Sequence, residues 1–262
     1  MKGVMPSNGV YLTLEDVKNN VKLGDEIHGA PTRVISLENT LGGTIMPLSE
    51  VKKISAFAKE HEIKLHLDGA RIWEAVVAGA GSLSDFTKEF DSVSLCFSKG
   101  LGAPVGSILV GKKAFIKHAR WVRKSVGGGL RQLGVVTAAA RIALDETFGK
   151  GPNGEGGLLK GSHVMAKRIA RMWEGMGGKL EKPTETNMVW FDLEEVGWSE
   201  GEFVELGKEH GLRFLGGRLV VHYQIGEEAV ERLEKVMNTV MQKKGANGSA
   251  KKQKVGEKSY GT

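Results

Sequence analysis

The sequence has little cysteine, proline or aromatic residue, and it has no long apolar run. Its single cysteine, Cys96, cannot form an internal disulfide, which argues against a disulfide-stabilised extracellular domain. A membrane-spanning helix needs about 18 consecutive apolar residues, and no such stretch is present. The opening residues, MKGVMPSNGV, lack the apolar centre of a secretory signal. These absences predict a cytoplasmic protein that does not interact with membranes.

The net charge of +6 is concentrated in one short segment. Residues 243–262 contain six lysines and one acidic residue, Glu257, so the rest of the chain is nearly neutral. The segment is polar and almost free of apolar residues, which predicts a disordered tail. A weak anion-binding or targeting role is the alternative. We expect no nucleic-acid partner, because the rest of the chain carries almost no net charge; binding through the tail, if it occurred, would fall steeply with salt.

Segments with strand and helix character alternate along the chain. The predicted strands of the first part lie at 33–38, 63–67, 91–97 and 105–110. Helices separate them, and a long helix is predicted over 131–148. This alternation predicts an α/β domain with a mostly parallel sheet.

A glycine- and proline-rich stretch, GKGPNGEGG at 149–157, predicts a domain boundary. It divides the chain into a large domain over 1–150 and a small α+β domain over 151–242, followed by the tail. The small domain is predicted to contain strands at 187–193, 212–215 and 218–223.

Three segments carry residues suited to chemistry. Asp68 ends an apolar strand, where α/β folds place ligand-facing groups, although it could serve only as a helix cap. Lys99 follows the apolar strand SVSLCF and precedes a glycine turn, which suits an amine nucleophile, although Lys99 could be only a solvated loop lysine. Gly127–Gly129 precede Arg131 at a predicted helix start, which suits a phosphate, or form only a flexible connection. Together, an amine, a carboxylate and a phosphate cradle form the set that pyridoxal 5'-phosphate requires.

The same segments resemble the threonine aldolase family of fold type I pyridoxal-phosphate enzymes. The resemblance rests on ENT with GGTIMPL, HLDGARIWEA, SLCFSKGLGAPVGSILVG, VRKSVGGGLRQLG and RLVVH, and it covers about residues 4–242. It implies a fold type I large domain with a mostly parallel sheet and a small C-terminal domain.

The resemblance also implies a role for each matching residue. Lys99 corresponds to the lysine that forms a Schiff base with the cofactor. Asp68 corresponds to the partner of the pyridine nitrogen, and Arg71 to the residue that reaches the ring oxygen O3′. Lys124 and Arg131 correspond to a phosphate-binding pair supplied across a subunit interface.

Two further residues are assigned to the substrate by the resemblance, and none to a metal. Arg218 corresponds to the arginine that binds the substrate carboxylate. His28 corresponds to an active-site histidine near the substrate β-hydroxyl, with a solvated loop residue as the alternative. The base that removes the hydroxyl proton stays open between a histidine and an ordered water.

The implied reaction is retro-aldol cleavage of L-threonine or L-allo-threonine, a β-hydroxy amino acid, to glycine and acetaldehyde. A related racemase, a lyase for another β-hydroxy amino acid, and an inactive truncated homologue are the alternatives. The family forms dimers or tetramers, which implies a homodimer or homotetramer here.

The resemblance begins well inside the family pattern, because roughly the first quarter of a typical member has no counterpart here. That part normally carries a Gly-Thr loop at the cofactor phosphate, a histidine stacked on the ring and a serine near the substrate carboxylate. We therefore expect an incomplete cofactor cradle and some bare apolar surface.

Overall fold

The computed structural model describes residues 2–24, 27–149 and 156–256, with side chains through Lys243. It divides into two compact units, Met1–Gly161 and Ser162–Thr262. The division falls inside a helix, Gly157–Gly175, whereas the sequence predicted it between residues 150 and 151. Most of the predicted linker, residues 150–155, lies outside the described residues.

The first unit contains a four-stranded sheet in the order β1-β2-β3-β4. The strands are β1 (Val34–Glu38), β2 (Lys64–Gly69), β3 (Ser92–Cys96) and β4 (Ser107–Gly111). β1, β2 and β3 are parallel, and β4 is antiparallel to β3. The predicted α/β class with a mostly parallel sheet is confirmed.

Helices surround this sheet and connect its strands. They are α1 (Leu14–Asn20), α2 (Leu48–Glu60), α3 (Ile72–Val77), α4 (Leu83–Thr87), α5 (Lys113–Ser125) and α6 (Gly134–Ala143), followed by a π-helical turn at Leu144–Phe148. The helix predicted over 131–148 is therefore shorter at its start, and its last turn is π-helical. α2 packs Val51, Ile54 and Ala58 into one core with Leu65 and Leu67 of β2.

A second, smaller core lies beside the loop that follows β3. It contains Trp73, Val76, Leu101, Phe148 and Leu159. The Trp73 indole Nε1–H donates a hydrogen bond to the Cys96 carbonyl at 2.9 Å. This core therefore ties the end of β3 to α3 and to the π-helical turn.

β4 and α5 leave a broad apolar surface uncovered. Every residue of β4 is exposed, and α5 has no buried residue. Trp121 and Val126 are 68% and 76% exposed. Bare apolar surface was predicted from the sequence, and β4 and α5 form part of it.

The second unit packs its helices against a two-stranded antiparallel sheet. Its elements are α7 (Gly157–Gly175), which begins in the first unit, β5 (Met188–Trp190), α8 (Glu200–Glu209), β6 (Arg218–Val220) and α9 (Glu227–Gly256). In its core the Trp173 ring stacks on Phe191, and Phe191 meets Phe203 edge to face. The strand predicted at 212–215 does not form, and these residues adopt irregular backbone.

The C-terminal residues differ from the sequence expectation. α9 continues to Gly256, so residues 243–256 are helical where a disordered tail was predicted. Lysine, glutamine and alanine are good helix formers, and they extend a helix whose first turns are already packed. Residues 257–262 lie outside the described residues. No helix in the described part of the chain is long and apolar enough to cross a bilayer.

Candidate active site

Two carboxylates lie side by side at the carboxyl ends of the parallel strands. Glu38 of β1 is in register with Asp68 of β2, and the Asn39 amide donates to the Asp68 carbonyl at 3.1 Å. Leu37 and Leu67, one position earlier on each strand, are buried. Because side chains alternate along a strand, the two carboxylates share the opposite, solvent-facing side of the sheet. Ligands of α/β folds bind at this edge.

Two cationic residues, Arg71 and Lys99, interact electrostatically with Glu38. Partial burial raises the pKa of Glu38 above its ordinary value of 4.5, and the negative charge of Asp68 raises it further. The positive charges of Arg71 and Lys99 oppose this rise. These four residues lie at or shortly after the carboxyl ends of β1, β2 and β3, and we call them the strand-end cluster.

The backbone around Asp68 orients its carboxylate. Asp68 Oδ1 accepts a hydrogen bond from the Ala70 amide at 3.1 Å. Helix α3 begins after Arg71, which is its N-cap residue and makes no side-chain cap hydrogen bond. Asp68 is therefore not the cap of this helix, and its second oxygen stays available to a ligand.

Lys99 lies half-buried in a tight loop after β3. The Gly102 amide donates to the Lys99 carbonyl at 2.9 Å, and the Ala103 amide donates to the Phe97 carbonyl at 3.0 Å. A Cβ at Gly100 would overlap the carboxylate of Glu74, which is 2% exposed. A side chain at this position would require the buried Glu74 to move, so glycine lets the Lys99 loop lie close to α3.

The π-helical turn holds this loop from the other side. The Thr147 hydroxyl donates to the Leu101 carbonyl at 3.1 Å, and both groups are buried. π-Helical turns are rare and are found frequently at functional sites.

The glycine run does not start a helix, which corrects the prediction for Gly127–Gly129. Gly127 has φ of 83° and follows the C-cap of α5. The Gly127 and Gly128 amides donate to the carbonyls of Lys124 and Arg123 at 3.2 and 2.8 Å. This is a Schellman motif that ends α5. It uses two amides that the sequence analysis assigned to a phosphate.

Lys124 and Arg131 are both exposed, and Arg131 lies three residues before α6. No hydrogen bond or ion pair joins either one to the strand-end cluster among residues 2–24, 27–149 and 156–256. Their surroundings are strongly basic, since the sequence between Ser92 and Leu144 has nine lysines and arginines and no carboxylate. This potential favours an anion, while their role at a phosphate stays a prediction.

The remaining candidates lie elsewhere. His28 is exposed in a turn. Arg218 is the first residue of β6 in the second unit, and its guanidinium carbon lies 5.7 Å from the Trp190 ring centroid. Asp68, Arg71 and Lys99 therefore belong to the strand-end cluster of the first unit, whereas His28 lies in an exposed turn of that unit and Arg218 belongs to the second unit.

The family profile described as beta-eliminating lyase matches residues 1–196. The chain belongs to the beta-eliminating lyase family. Aldolase vrtJ of Penicillium aethiopicum is 56% identical over 91% of this chain, and alanine racemase TOXG of Cochliobolus carbonum is 45% identical over 92%. The low-specificity L-threonine aldolase of Candida albicans is 46% identical over 88%. The predicted resemblance to threonine aldolases is confirmed.

Solved structures support the same fold for this lyase-family chain. A threonine aldolase of Leishmania major has a TM-score of 0.69 and 20% identity, with 88% of this chain and 68% of that chain covered. Serine palmitoyltransferase of Sphingomonas wittichii has a TM-score of 0.59 and 18% identity, over 82% and 56%. A structure of SPT with PLP has a TM-score of 0.64 and 17% identity, over 89% and 60%. The predicted fold type I architecture is confirmed.

The chain spans about 60% of the length of the curated relatives named above, with 60%, 62% and 61% of each covered. What those proteins do as wholes therefore enters below only as a proposal.

Two residues of this site, Glu38 and Glu74, were not predicted from the sequence. Glu38 carries the same signal that selected Asp68, a carboxylate at the end of an apolar strand, and it lies in the ENT motif. Glu74 gave no local signal, because its position against Gly100 depends on how α3 packs beside the Lys99 loop.

Proposed function

We propose that this chain holds pyridoxal phosphate on Lys99 and acts as a lyase that cleaves L-threonine and L-allo-threonine to glycine and acetaldehyde. The observation that carries the proposal is the strand-end cluster, in which Asp68 ends β2 in register with Glu38 and Lys99 lies half-buried in the loop after the adjacent strand β3. Relatives that are L-threonine aldolases and an aldolase support the reaction type.

The residues present fit this cofactor. Its aldehyde needs an amine, its ring nitrogen a carboxylate, and its ring oxygen a hydrogen-bond donor, and the cluster offers all three. Gly100, next to Lys99, lets the loop lie against the buried Glu74 of α3. When bound, pyridoxal phosphate supplies a sink for the electron pair released as the substrate Cα–Cβ bond breaks.

Each residue then has a separate task. The negative charge of Asp68 stabilises a proton on the ring nitrogen, which strengthens the electron sink. Arg71 donates to the ring oxygen, and Lys124 with Arg131 neutralises the phosphate charge. Arg218 binds the substrate carboxylate, for which a guanidinium provides two parallel N–H donors.

The proton balance of the cleavage needs one base. The substrate β-hydroxyl loses its proton, the Cα–Cβ bond breaks to give acetaldehyde, and the α-carbon gains a proton to give glycine. No oxidant or reductant is required. The imidazole of His28 or an ordered water takes the hydroxyl proton.

The test is an absorption spectrum of the purified chain with added pyridoxal phosphate. We expect a yellow band from the cofactor joined to lysine in the wild-type chain and in Lys117→Ala, an exposed lysine of α5. Lys99→Ala should lack the band. A chain with no band, or a band that survives Lys99→Ala, would overturn the proposal. Chromatography of the products from threonine then identifies glycine and acetaldehyde.

A racemase is the second candidate, because alanine racemase TOXG is 45% identical to this chain. Both reactions use the same cofactor site, so the band does not separate them. A racemase converts L-alanine to D-alanine and releases no aldehyde. Chiral product analysis with alanine and threonine as substrates therefore decides between the two.

We further propose a homodimer or homotetramer in the cytoplasm. Lys124 and Arg131 are exposed, and in the described part of the chain neither makes a hydrogen bond or ion pair with the strand-end cluster. Such residues suit binding the phosphate of a cofactor held by a neighbouring subunit. Sedimentation of the wild-type chain tests the assembly. A monomer that still forms the yellow band would refute a shared site.

A further inference from the structure

Trp190 lies directly opposite Arg218 in the two-stranded sheet of the second unit. The two residues are in register between β5 and β6. The next pair along the ladder is hydrogen-bonded, since the Phe191 amide donates to the Gly217 carbonyl at 3.0 Å. Hydrogen-bonded and non-hydrogen-bonded pairs alternate in an antiparallel ladder, so Trp190 and Arg218 form a non-hydrogen-bonded pair. The side chains of such pairs lie closest together.

The indole ring of Trp190 contacts the guanidinium of Arg218. The Arg218 guanidinium carbon lies 5.7 Å from the ring centroid, which is within the range of a cation–π contact. Val189, the residue before Trp190, is fully buried in the core of the unit. Because side chains alternate along a strand, the half-buried Trp190 and the exposed Arg218 share the opposite face of the sheet.

A second cation contacts the same ring from the other side of β5. Lys182 Nζ lies 4.3 Å from the Trp190 ring centroid. The Glu181 amide donates to the Trp190 carbonyl at 3.0 Å, and this bond fixes the segment of Lys182 along the edge of β5 that does not face β6. The backbone on both sides of Trp190 therefore holds its ring in place.

Arg218 makes no ion pair among the side chains that the structure describes. Other arginines of the unit do pair, Arg168 with Glu227 and Arg232 with Glu228. A carboxylate partner would occupy the N–H donors of the guanidinium, whereas a ring face holds the cation and leaves those donors available. The Trp190 contact therefore restrains Arg218 without blocking a carboxylate ligand.

We infer that Trp190 is a positioning residue that orients Arg218 for the substrate carboxylate. The inference rests on the proposed function, in which Arg218 binds that group. An exposed arginine loses rotamer freedom when it binds a ligand, and this loss weakens binding. The Trp190 ring restricts the guanidinium beforehand, so less freedom is lost. The contact does not change as the substrate bond breaks, and it should therefore lower KM and leave kcat unchanged.

The experiment measures initial rates over a range of L-threonine concentrations, with the full chain loaded with pyridoxal phosphate. Trp190→Leu keeps an apolar side chain and removes the ring. We expect its KM to rise about fivefold with kcat within about twofold of the wild type, which matches a cation–π contact at an exposed site. Trp190→Phe restores a ring face, and its KM should stay within about twofold of the wild type.

Trp198→Phe is the matched control in the same unit. The Trp198 ring lies 4.4 Å from Lys243 Nζ, and its Nε1–H donates to the Val240 carbonyl at 3.3 Å. This substitution should lower the thermal unfolding midpoint and leave KM unchanged. An equal rise of KM in Trp198→Phe and Trp190→Leu would show a general effect of destabilisation, and would overturn the inference.

A second measurement needs neither cofactor nor activity. Urea unfolding of Trp190→Leu, Arg218→Met and the double variant forms a cycle that isolates the contact between the two side chains. We expect the unfolding equilibrium constant of the double variant to be about threefold smaller than the product of the single effects. Additive effects would show that the ring does not hold Arg218, and the positioning role would be wrong.

The inference and the lyase proposal fail in different ways. A wild-type chain without the yellow band would overturn the lyase proposal, and the inference with it. If the band is present and KM rises in Arg218→Met, an unchanged KM in Trp190→Leu would overturn the inference alone. An unchanged KM in Arg218→Met would show that Arg218 does not bind the substrate, so Trp190 would have no group to position.

Discussion

Glu38 and Asp68 end two adjacent parallel strands in register, so two carboxylates face the same side of the sheet edge. Arg71 and Lys99 supply the compensating charge. Partial burial raises the pKa of Glu38, and the negative charge of Asp68 raises it further, so this carboxylate has an enhanced tendency to hold a proton.

The first prediction concerns Glu38→Gln. Because the native pKa of Glu38 lies above its ordinary value of 4.5, the folded chain binds this proton more tightly than the unfolded chain does. The free energy of unfolding then falls as pH rises from about 4.5 through the native value. Glutamine cannot ionise, so Glu38→Gln should be more stable than the wild type at pH 7. The gain should vanish below about pH 4.

Urea unfolding at several pH values checks this prediction. Glu231→Gln, at an exposed position of α9 outside the cluster, is the control and should show no such pH-dependent gain. A gain for Glu38→Gln that is the same at pH 4 and pH 7 would contradict the electrostatic explanation.

The second prediction concerns the loop of Lys99. In Gly100→Ala the new methyl group would overlap the buried Glu74 carboxylate and lie 3.2 Å from Leu159 Cδ2. Overpacking of this kind destabilises a protein by about 1–3 kcal/mol. We expect that loss in urea unfolding, together with a weaker absorption band from cofactor on Lys99.

Gly134→Ala is the matched control for this substitution. A Cβ at Gly134 meets no atom within 4 Å, and the residue begins α6. Its stability should stay within about 0.5 kcal/mol of the wild type. If both variants lost the band equally, the packing around Gly100 would not be what positions Lys99.

The third prediction tests the reassigned glycine run. Gly127 has φ of 83°, a left-handed conformation that disfavours residues with a Cβ by about 1–2 kcal/mol. Gly127→Ala should lower the unfolding free energy by that amount. Gly161→Ala, within α7 and with no atom within 4 Å, should instead be neutral or stabilising, because alanine favours a helix. Equal effects in the two variants would refute the capping role.

Local patterns were enough to find the four strands of the first unit, although they also predicted a strand at 212–215 that does not form. Asp68 and Lys99 were predicted because each comes directly after an apolar strand, and the ends of parallel strands meet at one edge. Glu38 satisfies the same rule, but its part in the site depends on the register between β1 and β2, which one sequence does not specify.

Other features depended on tertiary structure or backbone geometry. The role of Gly127 follows from where α5 ends, and the same glycines would suit a phosphate loop if a helix began after them. The change to a π-helical turn at Leu144 accompanies the hydrogen bond from Thr147 to a distant loop. Composition does not reveal such a contact, so the prediction of one continuous helix over 131–148 missed the π-helical turn.

The last prediction separates the charge of Asp68 from its structural role. Asp68→Asn keeps an oxygen that can accept the Ala70 amide, so the turn and the cofactor band should persist. It removes the negative charge expected beside the ring nitrogen, and loss of one preorganised electrostatic contact typically lowers kcat by about a hundredfold or more.

Asp192→Asn is the control, because its Oδ1 accepts the Glu195 amide at 2.9 Å in a similar turn of the second unit. Threonine cleavage by the cofactor-loaded variants measures the difference. Full activity in Asp68→Asn would mean that the charge of this residue does not assist the reaction, and the strand-end cluster would then need another explanation.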